Sequence, residues 1–176
     1  MHRISNIGSL LKKNYRLYSF ELLVELQNKG FSDLRPSFLE LLTFICDTQG
    51  PSIKEVGNAC GLKKQTMTSH LNELEKRNYI FRKVNPLDKR EQNIFLTEYG
   101  KSFKLSLTEA ISKLEENYVK ELGDFEINRI EEVLKNLFRE FSKKKELNVE
   151  ESHRPAPKFM DKFESFKSEV SSISIS

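Results

Sequence analysis

The sequence predicts a mainly α-helical chain with one small β-hairpin in its middle. Apolar residues recur at three- and four-residue steps over most of the 176 residues, and prolines stand only at 36, 51, 86, 155 and 157. Two short β-prone runs flank a polar loop containing Asn85-Pro86. With 38% hydrophobic against 31% charged residues, the chain is apolar enough to bury a core. Its 7 glycines and 2 cysteines exclude a collagen repeat and a disulfide scaffold. No run approaches the ~18 uninterrupted apolar residues of a membrane span. The opening MHRISNIGSLLKKNYRLYSF places charges where a signal peptide needs apolar residues. A soluble, cytoplasmic protein without a membrane role is therefore expected, and two isolated thiols agree with a reducing compartment.

Each element has its own local reason. From about Ser5 to Asn28, the residues Ile7, Leu10, Leu11, Leu17, Tyr18, Leu22 and Leu26 mark a first helix, which Gly30 stops. Pro36, favoured in a first turn, opens a second helix through Phe38, Leu41, Leu42 and Ile45 to about Thr48, where Gln49-Gly50-Pro51 breaks it. Ser52 with Glu55 three residues later fits a capping box for a short third helix, ended by Gly61. A fourth helix runs from about Lys63 to Arg77, with Asn78 placed to take the left-handed conformation that terminates it. The runs Tyr79 to Val84 and Glu91 to Leu96 form the hairpin. Thr97 caps a fifth helix to about Leu122, with Phe103, Leu107, Ile111, Leu114, Tyr118 and Leu122 along one face. After Gly123-Asp124, a sixth carries Ile127, Ile130, Val133, Leu134, Leu137, Phe138 and Phe141 as its apolar stripe. Beyond Lys143 the composition becomes that of a tail, in which Phe159, Phe163, Phe166 and Val170 keep helical spacing; a mobile tail and a docking helix are both open.

Charge singles out the middle of the chain. Between Pro51 and Leu96 stand nine basic residues against five acidic ones, a net of +4 where the whole chain carries +3. On the fourth helix Met67, Leu71 and Leu74 share one inward face. Lys64, Gln65, Thr68, Ser69 and Asn72 fall elsewhere and offer the hydrogen-bonding side chains and cation that a helix in a major groove needs. Lys89 and Arg90 in the hairpin loop are placed to reach a minor groove or its phosphates, and Asp88 beside them is expected to orient Arg90 or cap the turn. Arg82 and Lys83 read equally well as phosphate contacts or solvated residues. Helix, helix, short helix, longer helix, charged hairpin is the order of a winged helix-turn-helix.

At this point the sequence resembles the MarR family of bacterial transcriptional regulators. Leu62 to Ile80, Asn85-Pro86-Leu87-Asp88-Lys89-Arg90-Glu91 and Leu96-Thr97-Glu98-Tyr99-Gly100 carry the resemblance, most specifically the Asp-x-Arg of the wing and the Leu-Thr-x-x-Gly after it. The likeness extends over roughly residues 5 to 145. It implies a homodimer on a pseudo-palindromic stretch of double-stranded DNA, with the first, fifth and sixth helices interleaved. By position, Lys63, Lys64, Gln65, Thr66, Thr68, Ser69 and Asn72 would face DNA from the recognition helix, with Arg90 at the wing tip. A small phenolic or lipophilic effector, or oxidation of a cysteine, would release the DNA. Two positions depart from the family: Ser69 where a basic residue is frequent, and Asn78 where glycine is usual. The implied division is a dimerisation helix over 1–35, the winged domain over 36–97, dimerisation helices over 98–145 and a tail, partly helical, over 146–176. The apolar stripes of the fifth and sixth helices also favour pairing, since a small winged domain leaves them uncovered; the alternative is an intramolecular helical bundle.

Other readings are plainer. Cys46 and Cys60 are expected as small buried residues, Cys46 being the better redox candidate. His70 without paired ligands is expected to be structural, and neither a metal nor a cofactor is expected. No Gly-rich phosphate loop, nucleophile elbow or convergent carboxylate pair suggests an enzyme. The rival class is a winged-helix adaptor that binds a protein, which would more often show an exposed apolar patch on the fourth helix.

Overall fold

The computed structural model describes residues 2–149 apart from Leu87. In order, the elements are α1 (Arg3–Asn28), α2 (Pro36–Cys46), α3 (Ile53–Cys60), α4 (Lys64–Lys76), β1 (Ile80–Val84), β2 (Gln92–Leu96), α5 (Glu98–Leu122) and α6 (Asp124–Val149). The patterned stripe Phe159 to Val170 lies outside the described residues.

α2 is the centre of the core. Seven of its residues are buried, among them Phe38, Leu41, Leu42 and Ile45. Around it pack Leu22 and Leu26 of α1, Val56 of α3, Leu71 and Leu74 of α4, Ile80 and Ile94 of the hairpin, and Phe103 and Leu107 of α5. An aromatic cluster of Phe31, Tyr79, Tyr99 and Phe103, with Tyr79 and Phe103 edge to face at 5.5 Å, joins the end of α1 to the start of α5.

Local chemistry sets the joints. Ser52 and Glu55 make the reciprocal capping box at α3, at 3.2 Å and 2.8 Å. Asn78 ends α4 in the left-handed region at φ 62°. Thr97 accepts the Gly100 N–H at 3.0 Å and donates its own N–H to the Tyr79 carbonyl at 3.1 Å, which seats α5 against the hairpin. α2 stops at Cys46, short of Thr48, whose hydroxyl donates to the Phe44 carbonyl in the closing turn. α6 continues to Val149, past the boundary expected at 145.

The strands are antiparallel, in register from Ile80 opposite Leu96 to Val84 opposite Gln92. A third segment joins them: Ser52 bridges Asn93, the Ile94 N–H donates to the Pro51 carbonyl at 2.9 Å, and the Asn93 amide donates to the Gly50 carbonyl at 2.7 Å. The wing is thereby bonded to the chain just before α3.

Two stretches stay uncovered. On α1, Ile4, Ile7, Leu10, Leu11 and Leu17 are exposed, and only the C-terminal turns are buried. On α6, Ile130, Val133, Phe138 and Phe141 are exposed; Leu122, placed by periodicity on the α5 stripe, is 51% exposed.

Candidate nucleic-acid interface

α3 and α4 cross closely. A Cβ on Gly57 would lie 2.8 Å from the Met67 methyl, so the absence of a side chain there lets α4 approach. Gly61, at φ 61°, makes the turn between the two helices. Lys63 then stands as the N-cap of α4 rather than inside it, with no side-chain cap on the first turn. The helix N-terminus therefore presents unbonded N–H groups beside Lys63 and Lys64, a setting that favours an anion.

Met67, Leu71 and Leu74 are buried as the inward face of α4. Lys63, Lys64, Gln65, Thr66, Thr68, Ser69 and Asn72 are all exposed. The Thr68 hydroxyl donates to the Lys64 carbonyl at 2.8 Å, which leaves its oxygen as an acceptor. His70 sits on the flank, its ring edge-on to Phe38 at 5.3 Å.

The C-terminal end of α4 is anchored elsewhere. Arg77 donates to the Asp33 carbonyl at 2.6 Å and to its carboxylate at 3.1 Å, and Tyr79 donates to the same carboxylate at 2.7 Å. The Asp33 hydrogen bond raises the Arg77 pKa further above its ordinary value. Burial, then the bond to Asp33, pushes the Tyr79 phenol strongly up.

The wing closes on Asp88. Its carboxylate accepts the Arg90 N–H at 2.9 Å, and its carbonyl accepts the Glu91 N–H at 3.0 Å. Asp88 thus acts on the Arg90 backbone as a turn cap. Lys89 and Arg90 are exposed. Between the wing and the α3–α4 corner runs a groove of about 660 Å³. Lys54, Lys64, Lys89 and Arg90 rim it over a floor that includes Leu62 and Met67. Among the described residues, none of these four cations is in an ion pair, whereas Arg77 and Arg82 are.

Arg82 is neither solvated nor offered to a ligand. It is half-buried, its guanidinium donating to the Asn72 side-chain oxygen and lying 3.4 Å from Glu75. Sequence reasoning missed this because its partners stand ten and seven residues earlier, on another element. The thiols also differ from expectation in part. Cys46 is buried, but Cys60 is half-buried. Among the described residues no three of His, Cys, Asp or Glu converge to hold a metal, and no helix is long and apolar enough to cross a membrane.

Comparison with known proteins follows the same lines. Residues 32–91 match the MarR family model. The HTH-type transcriptional regulator SarZ of Staphylococcus aureus is 36% identical over 88 residues, covering 49% of this chain and 55% of SarZ. The chain thus spans about half the length of the curated relatives it matches. A MarR transcriptional regulator from Methanosarcina mazei superposes with a TM-score of 0.68 at 20% identity, over 79% of this chain and 98% of its own. Streptococcus pneumoniae FabT, solved in complex with DNA, gives 0.68 at 20% identity, over 78% and 96%. Residues 32–91 are thus similar to the MarR family, and with the helices around them they share the fold of these solved regulators.

Proposed function

We propose that this chain is a sequence-specific DNA-binding transcriptional regulator that acts as a homodimer on a pseudo-palindromic site. One observation carries the reading: Lys64 at the start of α4 and the unpaired wing cations Lys89 and Arg90 line one groove, and the polar residues Gln65, Thr66, Thr68, Ser69 and Asn72 that follow Lys64 on α4 are all exposed. Gln65, Thr66, Thr68, Ser69 and Asn72 offer the short donors and acceptors that read base edges. Lys63 and Lys64 sit at an uncapped helix N-terminus, where phosphate is favoured. Lys89 and Arg90 reach toward the minor groove from a turn that Asp88 holds. That FabT, a structural neighbour, was solved with DNA supports the same use of the fold.

The dimer rests on the exposed apolar residues of α1 and α6, which a second copy would cover. In this reading residues 1–35 and 98–145 are the dimerisation helices and 36–97 the DNA-binding domain. A small phenolic or lipophilic effector would act between the dimerisation helices and the winged domain.

The test is a fluorescence-anisotropy titration of the purified chain on its own upstream intergenic DNA, with bulk competitor DNA present. Tight binding that resists the competitor is expected. Binding that bulk DNA erases would contradict site-specific regulation, and no binding at all would favour the protein-adaptor class.

A further inference from the structure

We infer that Arg82 sets the hydrogen-bonding polarity of Asn72, so that Asn72 meets DNA as a donor and selects a keto base, guanine or thymine. The inference rests on the DNA-binding reading and adds to it a positioning residue that lies off the recognition helix.

The clamp has two arms. The Arg82 backbone N–H donates to one oxygen of Glu75 at 3.1 Å, and its guanidinium lies 3.4 Å from the other. The same guanidinium nitrogen donates to the side-chain oxygen of Asn72. Arg82 is held from behind by the hairpin register, opposite the fully buried Ile94, and its side chain is only 15% exposed. The clamp is therefore built into the junction of β1 and α4.

A guanidinium carries donors only, so just one orientation of the Asn72 amide satisfies it. The oxygen must face Arg82, and the amide nitrogen with its two hydrogens must face away. Asn72 is exposed on α4, one turn beyond Thr68 and close to the outermost line of Gln65 and Ser69. An unclamped asparagine reads adenine by accepting from N6 while donating to N7. Here the oxygen is engaged in a charge-assisted bond and the amide plane is fixed by the protein. What faces the base is a donor, matched at both N7 and O6 of guanine or at O4 of thymine, matched on adenine only at N7 beside a repelling N6 amino group, and repelled by the amino group of cytosine.

The experiment is selection of binding sites from a randomised duplex pool by the full chain and its variants, with folding checked by circular dichroism. Asn72→Ala identifies the base pair concerned by erasing its preference. Wild type is expected to select a keto base there. Arg82→Met, which keeps length but removes the donors, is expected to raise adenine relative to keto bases roughly tenfold, within the range one bidentate pair supplies. Arg82→Lys restores donors and is expected to restore the wild-type choice. If Arg82→Met fails to fold, Asn72→Asp decides: its carboxylate keeps Arg82 but shows only acceptors, so preference is expected to move to cytosine. Adenine already preferred by wild type, or affinity lowered by Arg82→Met with base preference unchanged, would overturn the inference. So would Asn72→Asp keeping a keto base. A pool from which wild type enriches nothing overturns the DNA-binding reading and this inference together, a result distinct from enriched sites that ignore Arg82.

Discussion

Arg90 stands exposed at the wing with its backbone N–H held by Asp88, so its position is fixed while its guanidinium is unpaired among the described residues. Arg90→Ala is expected to weaken DNA binding several-fold and leave the sedimentation behaviour unchanged; unchanged affinity would remove the wing from the mechanism. Other residues act through burial. It pushes the thiols of Cys46 and Cys60 up to about 12, with Asp47 and Glu40 respectively adding to the shift. It does the same to the phenols of Tyr18 and Tyr118. A sensor thiol needs the opposite shift, so release by cysteine oxidation gains no support here. All four groups hold their protons in the folded chain beyond the pH at which the unfolded chain loses them. Their contribution to stability is therefore complete below about pH 9 and lost as pH rises toward 12. The melting temperature is expected to fall steadily from pH 9 to pH 11, and a flat profile would contradict these assignments. At this scale the sequence was most readable where a residue acts on its own neighbours. The capping pair Ser52–Glu55, the Thr97 cap and Asn78 at φ 62° could all be read locally. Arg82 could not, since nothing in a strand's alternation names a partner on another element.

The elements meet at a few joints that tolerate little change. A Cβ on Gly100 would lie 2.0 Å from the Tyr79 carbonyl oxygen, so the glycine of the Leu-Thr-x-x-Gly motif is required by the approach of α5 to β1. Gly100→Ala is expected to cost roughly 2–3 kcal/mol, in the upper part of the overpacking range, as read by chemical denaturation. A cost below about 0.5 kcal/mol, the ordinary scatter of surface changes, would show that the joint relaxes freely. Gly57 faces only the flexible end of Met67, so the same substitution there is expected to be milder. The order of helices and hairpin was legible because each helix carries its own apolar spacing and its own stop. The bridge from Ser52 to Asn93 was not, because two residues are too few to show alternation. The tie between Asp33, Arg77 and Tyr79 was hidden for a related reason, joining residues more than forty positions apart.

For the whole molecule, the periodicity of α1 and α6 identified apolar stripes but could not say what covers them. α6 lies against α5 and leaves Ile130, Val133, Phe138 and Phe141 exposed, and the N-terminal half of α1 is equally bare. A second copy is the proposed cover. Replacing both Ile130 and Phe138 by Glu is expected to convert a dimer to a monomer in sedimentation while helical content is kept. A wild-type chain that sediments as a monomer would contradict the pairing. Two winged domains held by that pairing would present two recognition helices about one DNA turn apart, and four cations at each grip. The most direct test of that grip is the salt dependence of binding to the upstream DNA. The logarithm of the affinity is expected to fall linearly with the logarithm of salt concentration, with a slope of about −0.9 for each phosphate neutralised, and to become shallower in Arg90→Ala. An affinity that barely responds to salt would contradict the account and point to an apolar protein partner instead.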